Sequence, residues 1–370
     1  MKARSQPWIY SAFLDSTFIL APAFLISAVV LVWQDSITGI ETIPAWVWGG
    51  IIIGVDVSHV YATLFRTYAD PQERAAHATL YTLTPLVCWV LGVIIYSFSS
   101  LWFWHCLAYV AVFHFIRQQY GFMMIYGRRD QEAKTARALD KMAIYAATLY
   151  PLIYWHTHQP RNFDWFIGGD FFSVTVPYLS EISFVGYIAI LTAYIFKEGY
   201  AALSTKSFNL PKNAILLGTA VSWFIGIVYL NNDLAFTTTN IIAHGIPYIA
   251  LIWIYGRNRG QQTEKAALFG KIPFRRFFTI SFIPVFIASL LLLAYFEEGL
   301  WDAFIWNEHK MAFRFFQALP EIEDKNLLSW LVPLLALPQM THYALDAFIW
   351  KIRQQGTPWK EILFYRTRTS

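Results

Sequence analysis

Four histidines stand inside long apolar runs, three of them with a polar partner one helical turn away. His59 follows Asp56 by three residues, His114 precedes Gln118 by four, and His342 precedes Asp346 by four. His244 follows the polar run Thr237-Thr238-Thr239-Asn240. Spacings of three and four put both side chains on one face of a helix. Helical bundles build carboxylate-bridged metal sites from inward-facing pairs of this kind. Imidazole suits Fe, Zn, Cu and Ni, and histidines with carboxylates around open positions favour Fe(II) and oxygen chemistry. The residue types therefore point to His59, His114, His244 and His342 as metal ligands. Asp56 and Asp346 would ligate the ion or fix the imidazole tautomers from behind, and Gln118 would share the same catalytic layer.

The elements that must carry these residues are membrane spans. Of 370 residues, 56% are hydrophobic and only 14% charged, and mean hydropathy is +0.41. A water-soluble chain of this length needs more charge to cover its surface, whereas an embedded one has lipid as its solvent. Apolar runs long enough to cross ~30 Å of hydrocarbon predict an all-α, polytopic transmembrane bundle of about ten helices. They fall near 8–33, 44–65, 77–97, 100–126, 139–155, 178–200, 212–230, 234–256, 277–296 and 327–350. The 16 Trp and 21 Tyr suit the two membrane interfaces. The first apolar run has no small-residue cleavage site behind it and reads as a retained helix.

The loops alternate in charge. Basic positions are Lys2 and Arg4; Arg66 and Arg74; Arg128, Arg129, Lys134, Arg137 and Lys141; Lys206 and Lys212; Arg257, Arg259, Lys265, Lys271, Arg275 and Arg276; and Lys351, Arg353, Lys360, Arg366 and Arg368. Between them lie neutral or acidic loops with Asp35 and Glu41, a 156–177 segment with one Arg and two Asp, Asn231-Asn232-Asp233, and the acidic stretch 297–325. Under the positive-inside rule this fits an even number of spans with both ends cytoplasmic, as in a bacterial inner membrane. The four histidines then lie on helices running inward. At 1.5 Å per residue His59 is ~10 Å from Arg66, His342 ~14 Å from Lys351, and His114 and His244 ~20 Å from Arg128 and Arg257. That depth lets four helices converge on one point.

No Gly/Ser linker or low-complexity segment interrupts the chain, so 1–370 reads as a single integral membrane domain. The aromatic and charged stretch 300–319 reads as an outer interfacial helix. Cys88 and Cys106 lie in apolar runs, which excludes a disulfide framework and a CxxC site. The net charge of +4 does not suggest nucleic-acid binding. Gly50 and Gly54 form one GxxxG, which allows close helix packing but leaves the oligomeric state open. His114 before Tyr126-Gly127-Arg128 and His244 before Tyr255-Gly256-Arg257 make a weak internal repeat. His77 could add a ligand, as could the HxH of His156 and His158. His105 reads as interfacial and His309 as solvated. Arg117 pairs with Asp56 or Asp346 or binds a headgroup, Arg66 is a further candidate, and Asp15 is a lone carboxylate near the inner end of the first span.

Two short segments resemble a known family. Leu337-Pro338-Gln339-Met340-Thr341-His342-Tyr343-Ala344-Leu345-Asp346-Ala347 is similar to the His-Gly-Ala-Leu-Asp motif of the Brp/Blh membrane β-carotene dioxygenases, and Phe113-His114-Phe115 is similar to their later Phe-His segment. The motif lies early in that family and last here, and Tyr343 stands where the family has Gly. The resemblance implies a polytopic, iron-dependent enzyme with His342 and His114 as iron ligands and Asp346 as a supporting carboxylate.

The leading expectation is a membrane-embedded, histidine-ligated metalloenzyme: a non-haem iron oxygenase or related oxidoreductase using O2 on a polyene, acyl chain or quinone. Two other readings stay open. A b-type haem protein or quinone-linked electron carrier would use two of the histidines axially. A proton-coupled transporter or flippase would relay protons through the same His and Asp side chains, with Pro247 and Pro338 breaking its helices.

Overall fold

The computed structural model describes residues 6–40, 43–130, 132–205, 208–262, 267–350 and 359–365. Lys2, Arg4, Glu41, Lys206, Lys265, Lys351, Arg353, Arg366 and Arg368, which enter the topology argument, lie outside the described residues. The architecture is all-α. Its main helices are α1 (Ala12–Val32), α2 (Ala45–Arg66), α3 (Ala78–Phe98), α4 (Ser100–Tyr126), α5 (Lys134–Thr157), α6 (Leu179–Ser204), α7 (Leu210–Tyr229), α8 (Asp233–Gln262), α9 (Ile280–Trp306), α10 (Lys325–Leu335) and α11 (Leu337–Ile349). A two-residue hairpin, Ala267–Leu268 against Ile272–Pro273, is the strand structure among the described residues.

Several helix starts follow from local chemistry. Asn209 accepts from the Lys212 amide at 3.1 Å with Pro211 in the first turn of α7. Asp324 accepts from the Leu327 amide at 2.8 Å to open α10. Each supplies an acceptor to an amide that has no partner within the helix. The predicted 327–350 helix is in fact two, α10 and α11, parted at Ala336. Pro338, in the first turn of α11, has no N–H to continue the ladder.

Seven helices (α1, α2, α3, α6, α7, α8 and α9) are long and apolar enough to cross a membrane. The most apolar windows of α3 and α6 are only 11% buried, and Leu86, Val87, Leu91, Val185, Ile195 and Phe196 are exposed. In water such faces would drive aggregation. In lipid they cost nothing, and the chain is an integral membrane protein. The other three expected spans are helical but fall short of the same length and hydropathy test. α4 carries His105, His114, Arg117, Gln118 and Gln119, α5 begins with four charged residues, and α10 and α11 are each too short alone.

The described residues form two compact units, whose boundaries fall inside α4 and α8, so no linker marks them in the sequence. In one, comprising residues up to 40 and Val112–Pro247, α5 packs on α6 and α7, and α7 packs on α1. Gly226 allows α7 to approach α8: a Cβ there would lie 2.1 Å from Thr239 Oγ1. In the other, α3 packs along α10 and α11, and α2 packs on α9 and α11. Between Gly49 and Val57, α2 runs in wide i→i+5 turns and returns to α-geometry at Ser58. Wide turns of this kind recur at functional sites. Within the chain, an added Cβ at Gly50 would meet nothing within 4 Å and one at Gly54 only the Gly49 carbonyl at 3.7 Å, so no neighbouring helix of the described residues packs closely on the Gly50/Gly54 pair.

The 300–319 stretch is not an interfacial helix. Its first part completes α9, and 310–318 form turns. Phe313 is buried there against Tyr295, with ring centroids 5.2 Å apart, because burying its ring outweighs the gain from lying in the interface.

Candidate metal centre

The first histidine pair joins α4 to α8. His114 Nε2 lies 3.2 Å from His244 Nε2, with ring centroids 4.9 Å apart and planes at 79°. Two nitrogens each ~2.0–2.1 Å from one ion would stand about 2.9 Å apart at a right angle and about 3.4 Å apart at the tetrahedral angle. The observed spacing falls between these. Phe115 stacks flat on His244 at 3.6 Å and 8°, which fixes that ring's plane.

Backbone chemistry supports the same point. Pro247 lies inside α8 and has no N–H for the Ala243 carbonyl one turn back. Gln119 Nε2 donates to that carbonyl at 3.5 Å, and Gln118 Nε2 donates to the His244 carbonyl at 2.8 Å. Thr219 Oγ1 donates to Gln119 Oε1 at 3.1 Å. Gln118 thus holds the backbone under His244.

The second pair joins α2 to α11. His59 and His342 have centroids 5.0 Å apart and planes at 80°, nearly the geometry of the first pair. His342 Nδ1 is 2.6 Å from Thr63 Oγ1, Thr63 Oγ1 is 2.8 Å from Tyr248 Oη, and Tyr248 donates to Asp346 Oδ1 at 2.7 Å. The Tyr248 ring stands edge-on to His342 at 5.1 Å.

All four histidines are buried, at 1% exposure for His59, His244 and His342 and 5% for His114. Each unit thus carries one buried histidine pair, His114 with His244 and His59 with His342. The two carboxylates behave differently from the expectation. Asp56 Oδ1 is 3.6 Å from His59 Nδ1, and Asp346 Oδ1 is 4.0 Å from His342 Nδ1. Both exceed hydrogen-bond length. Asp346 is taken up by Tyr248 instead.

The remaining candidates lie elsewhere. His77 is paired with Glu73 at 3.5 Å. His156 Nδ1 meets the Leu152 carbonyl at 2.6 Å, and His158 stacks on Tyr154 at 3.8 Å. His105 is buried beside Trp102. His309 stacks on Trp48 at 4.0 Å rather than lying in solvent. Arg117 donates to Tyr145 Oη at 2.9 Å and pairs with neither Asp56 nor Asp346. Arg66 pairs with Glu73 at 2.9 Å and lies over the Tyr255 ring. Asp15 accepts from the Tyr10 and Ser11 amides and from Tyr126 Oη. Both cysteines are free.

Sequence reasoning missed Thr63, Tyr248 and Gln119. The signal was there: Thr63 follows His59 by four residues, and Tyr248 follows His244 by four. Both lie on the histidine faces but are neutral hydroxyls at pH 7, outside the charged and metal-ligating types that mark a site in sequence.

A second group, Glu132, Asp140 and Glu198, also has metal-ligand spacing. Lys212 Nζ lies 2.9 Å from Glu132, 3.4 Å from Asp140, 2.9 Å from Glu198 and 3.0 Å from Asp130. Lys197 also contacts Glu132, Asp140 and Glu198. Two ammonium groups thus stand where a cation would. Burial pushes the Glu132 carboxyl up, but the hydrogen-bonded Lys212 more than offsets this and holds it below its usual range.

A cavity of about 360 Å³ reaches the second pair, with Val60, Thr63, Pro85, Leu334, Pro338 and His342 in its wall. Leu334 is 48% exposed and His342 is 1% exposed, so the wall runs from the protein surface to the imidazole.

No family model, no curated protein and no solved structure matches the chain.

Proposed function

We propose that the chain is a membrane-embedded metalloenzyme in which His59, His114, His244 and His342 are iron ligands, and that it oxidises a lipophilic substrate with O2. The observation that carries this reading is that the buried imidazoles come in close pairs within each unit, His114 with His244 and His59 with His342. Histidine ligands that leave coordination positions open would suit Fe(II), which would supply the oxygen chemistry when bound. The distant Brp/Blh resemblance at His114 and His342 points the same way.

The chain's own residues would orient and shield. Phe115 and Gln118 hold His244, and Thr63 holds His342. The apolar cavity wall would admit a polyene, acyl chain or quinone and exclude water from reactive species. Its volume lies in the range of small-molecule sites. We further place α4, α5 and the α10–α11 pair in the membrane, making ten spans with both termini cytoplasmic in a bacterial inner membrane.

The haem alternative fits the geometry less well. A haem would need two facing imidazoles with room for the macrocycle between them. His114 and His244 are 3.2 Å apart, the spacing of neighbouring ligands.

The test is metal content of the detergent-purified protein by mass spectrometry, with an absorption spectrum, beside His114→Ala and His244→Ala. One or two irons per chain, lost in both variants and without a Soret band, are expected. A Soret band would replace this reading with haem. No metal after reconstitution with Fe(II), Zn(II) and Mn(II) would leave the proton-coupled carrier.

A further inference from the structure

The hydroxyl chain behind His342 decides which of its nitrogens is available to a metal. An ionised carboxylate only accepts hydrogen bonds, and a hydroxyl has one proton to donate. Tyr248 gives its proton to Asp346 Oδ1 at 2.7 Å. Its oxygen can then only accept, so the 2.8 Å contact with Thr63 is a donation from Thr63. Thr63 has now used its proton and must accept at 2.6 Å from His342 Nδ1. His342 therefore carries its proton on Nδ1 and presents the lone pair of Nε2.

We propose that Thr63, Tyr248 and Asp346 form a positioning relay that locks His342 in its metal-ligating tautomer. The relay carries the influence of the Asp346 charge to the imidazole through two hydroxyls. Ligating histidines generally need a carboxylate or carbonyl on their other nitrogen. Here direct contact is ruled out by the 4.0 Å gap between His342 Nδ1 and Asp346 Oδ1. Thr63 and Tyr248, both buried, fill that gap. The ligating role rests on the metal-centre reading above, but the tautomer does not.

The experiment uses full-length protein in detergent: wild type, Thr63→Val, Thr63→Ser and Tyr248→Phe. Nitrogen-15 NMR of histidine-labelled, metal-free protein reads the tautomer, with the His342 signal identified by its loss in His342→Ala. Titration with Co(II), followed by its visible bands, reads metal affinity. Wild type should show the Nδ1–H form. Thr63→Val should lose it and bind Co(II) about 10- to 100-fold more weakly, with changed bands. Thr63→Ser should restore both, which a merely structural role for the threonine would not require. An Nε2–H signal in wild type, or an unchanged tautomer in Thr63→Val, overturns the relay. Absence of Co(II) uptake in wild type overturns the metal-centre reading and the ligating role with it. The NMR result decides the relay separately.

Discussion

Replacing Lys212 by Met tests whether the buried charge network organises the α5–α6–α7 bundle. Lys212 is 1% exposed and lies within 3.4 Å of four carboxylates. Met keeps the stem's volume and removes the charge. Removing one partner of a buried ion pair costs roughly 3–5 kcal/mol, because the other charge is left uncompensated. Lys197 remains in contact with three of the four carboxylates, so the lower end, about 3 kcal/mol, is expected. At roughly 2–4 °C per kcal/mol the Tm should fall by about 6–12 °C. The assay is thermal unfolding in detergent at pH 7 and at acid pH. The acid arm has a definite sign. Glu132 is held below its usual pKa of 4.5 in the folded protein, so its contribution is present above that value and lost as pH falls through the lowered one. Acid thus destabilises wild type, but in Lys212→Met protonation relieves repulsion among the carboxylates. The gap between the two proteins should narrow as pH falls below about 4.5. A variant within about 2 °C of wild type at pH 7, or a gap that widens in acid, would refute the reasoning.

Further predictions concern the site and its scaffold. Glu132→Gln should leave metal content unchanged while His244→Ala abolishes it, because lysines already fill the acidic group; metal analysis of both decides this. Gly226→Ala places a methyl against Thr239 Oγ1 and should cost about 1–3 kcal/mol by overpacking. Gly50→Ala, which meets nothing, should shift Tm by far less in the same melts. Gln118→Met should weaken Co(II) binding without abolishing it, since it frees the His244 carbonyl but removes no ligand.

The spans were legible because lipid demands long apolar runs, and these dominate their sequences. The errors fall where charge was taken to mean loop. Lys134 and Arg137 read as loop ahead of a span from 139, yet α5 already begins at Lys134, and Asp140 inside it is matched by Lys197 and Lys212. Glu297 and Glu298 seemed to end the ninth span, but α9 continues to Trp306 with Glu297 buried. In the site, i,i+3 and i,i+4 spacing put His59, His114 and His342 on one face with Asp56, Gln118 and Asp346 respectively. Spacing cannot say whether two groups on one face touch. Asp346 and His342 share a face and are linked through two hydroxyls from other helices; the four-residue spacing of those hydroxyls from His59 and His244 was legible, but not that they meet His342.

The placement of those carboxylates also bears on the charge of the proposed centre. Neutral imidazoles alone would leave a divalent ion with its full +2 inside the bilayer, where uncompensated charge is costly. Direct carboxylate ligation would quench that charge but take up an open position. Asp56, 3.6 Å from His59 Nδ1, and Asp346, reaching His342 through Tyr248 and Thr63, stand behind the ligands instead. When ionised, each would offset part of that charge without taking up an open position. On this argument Asp56→Asn and Asp346→Asn should each weaken Co(II) binding, and the double variant should lose more than either single one while retaining the ligand-field bands of an all-nitrogen site. If either single variant instead shifts those bands as a lost ligand would, that carboxylate coordinates the ion directly.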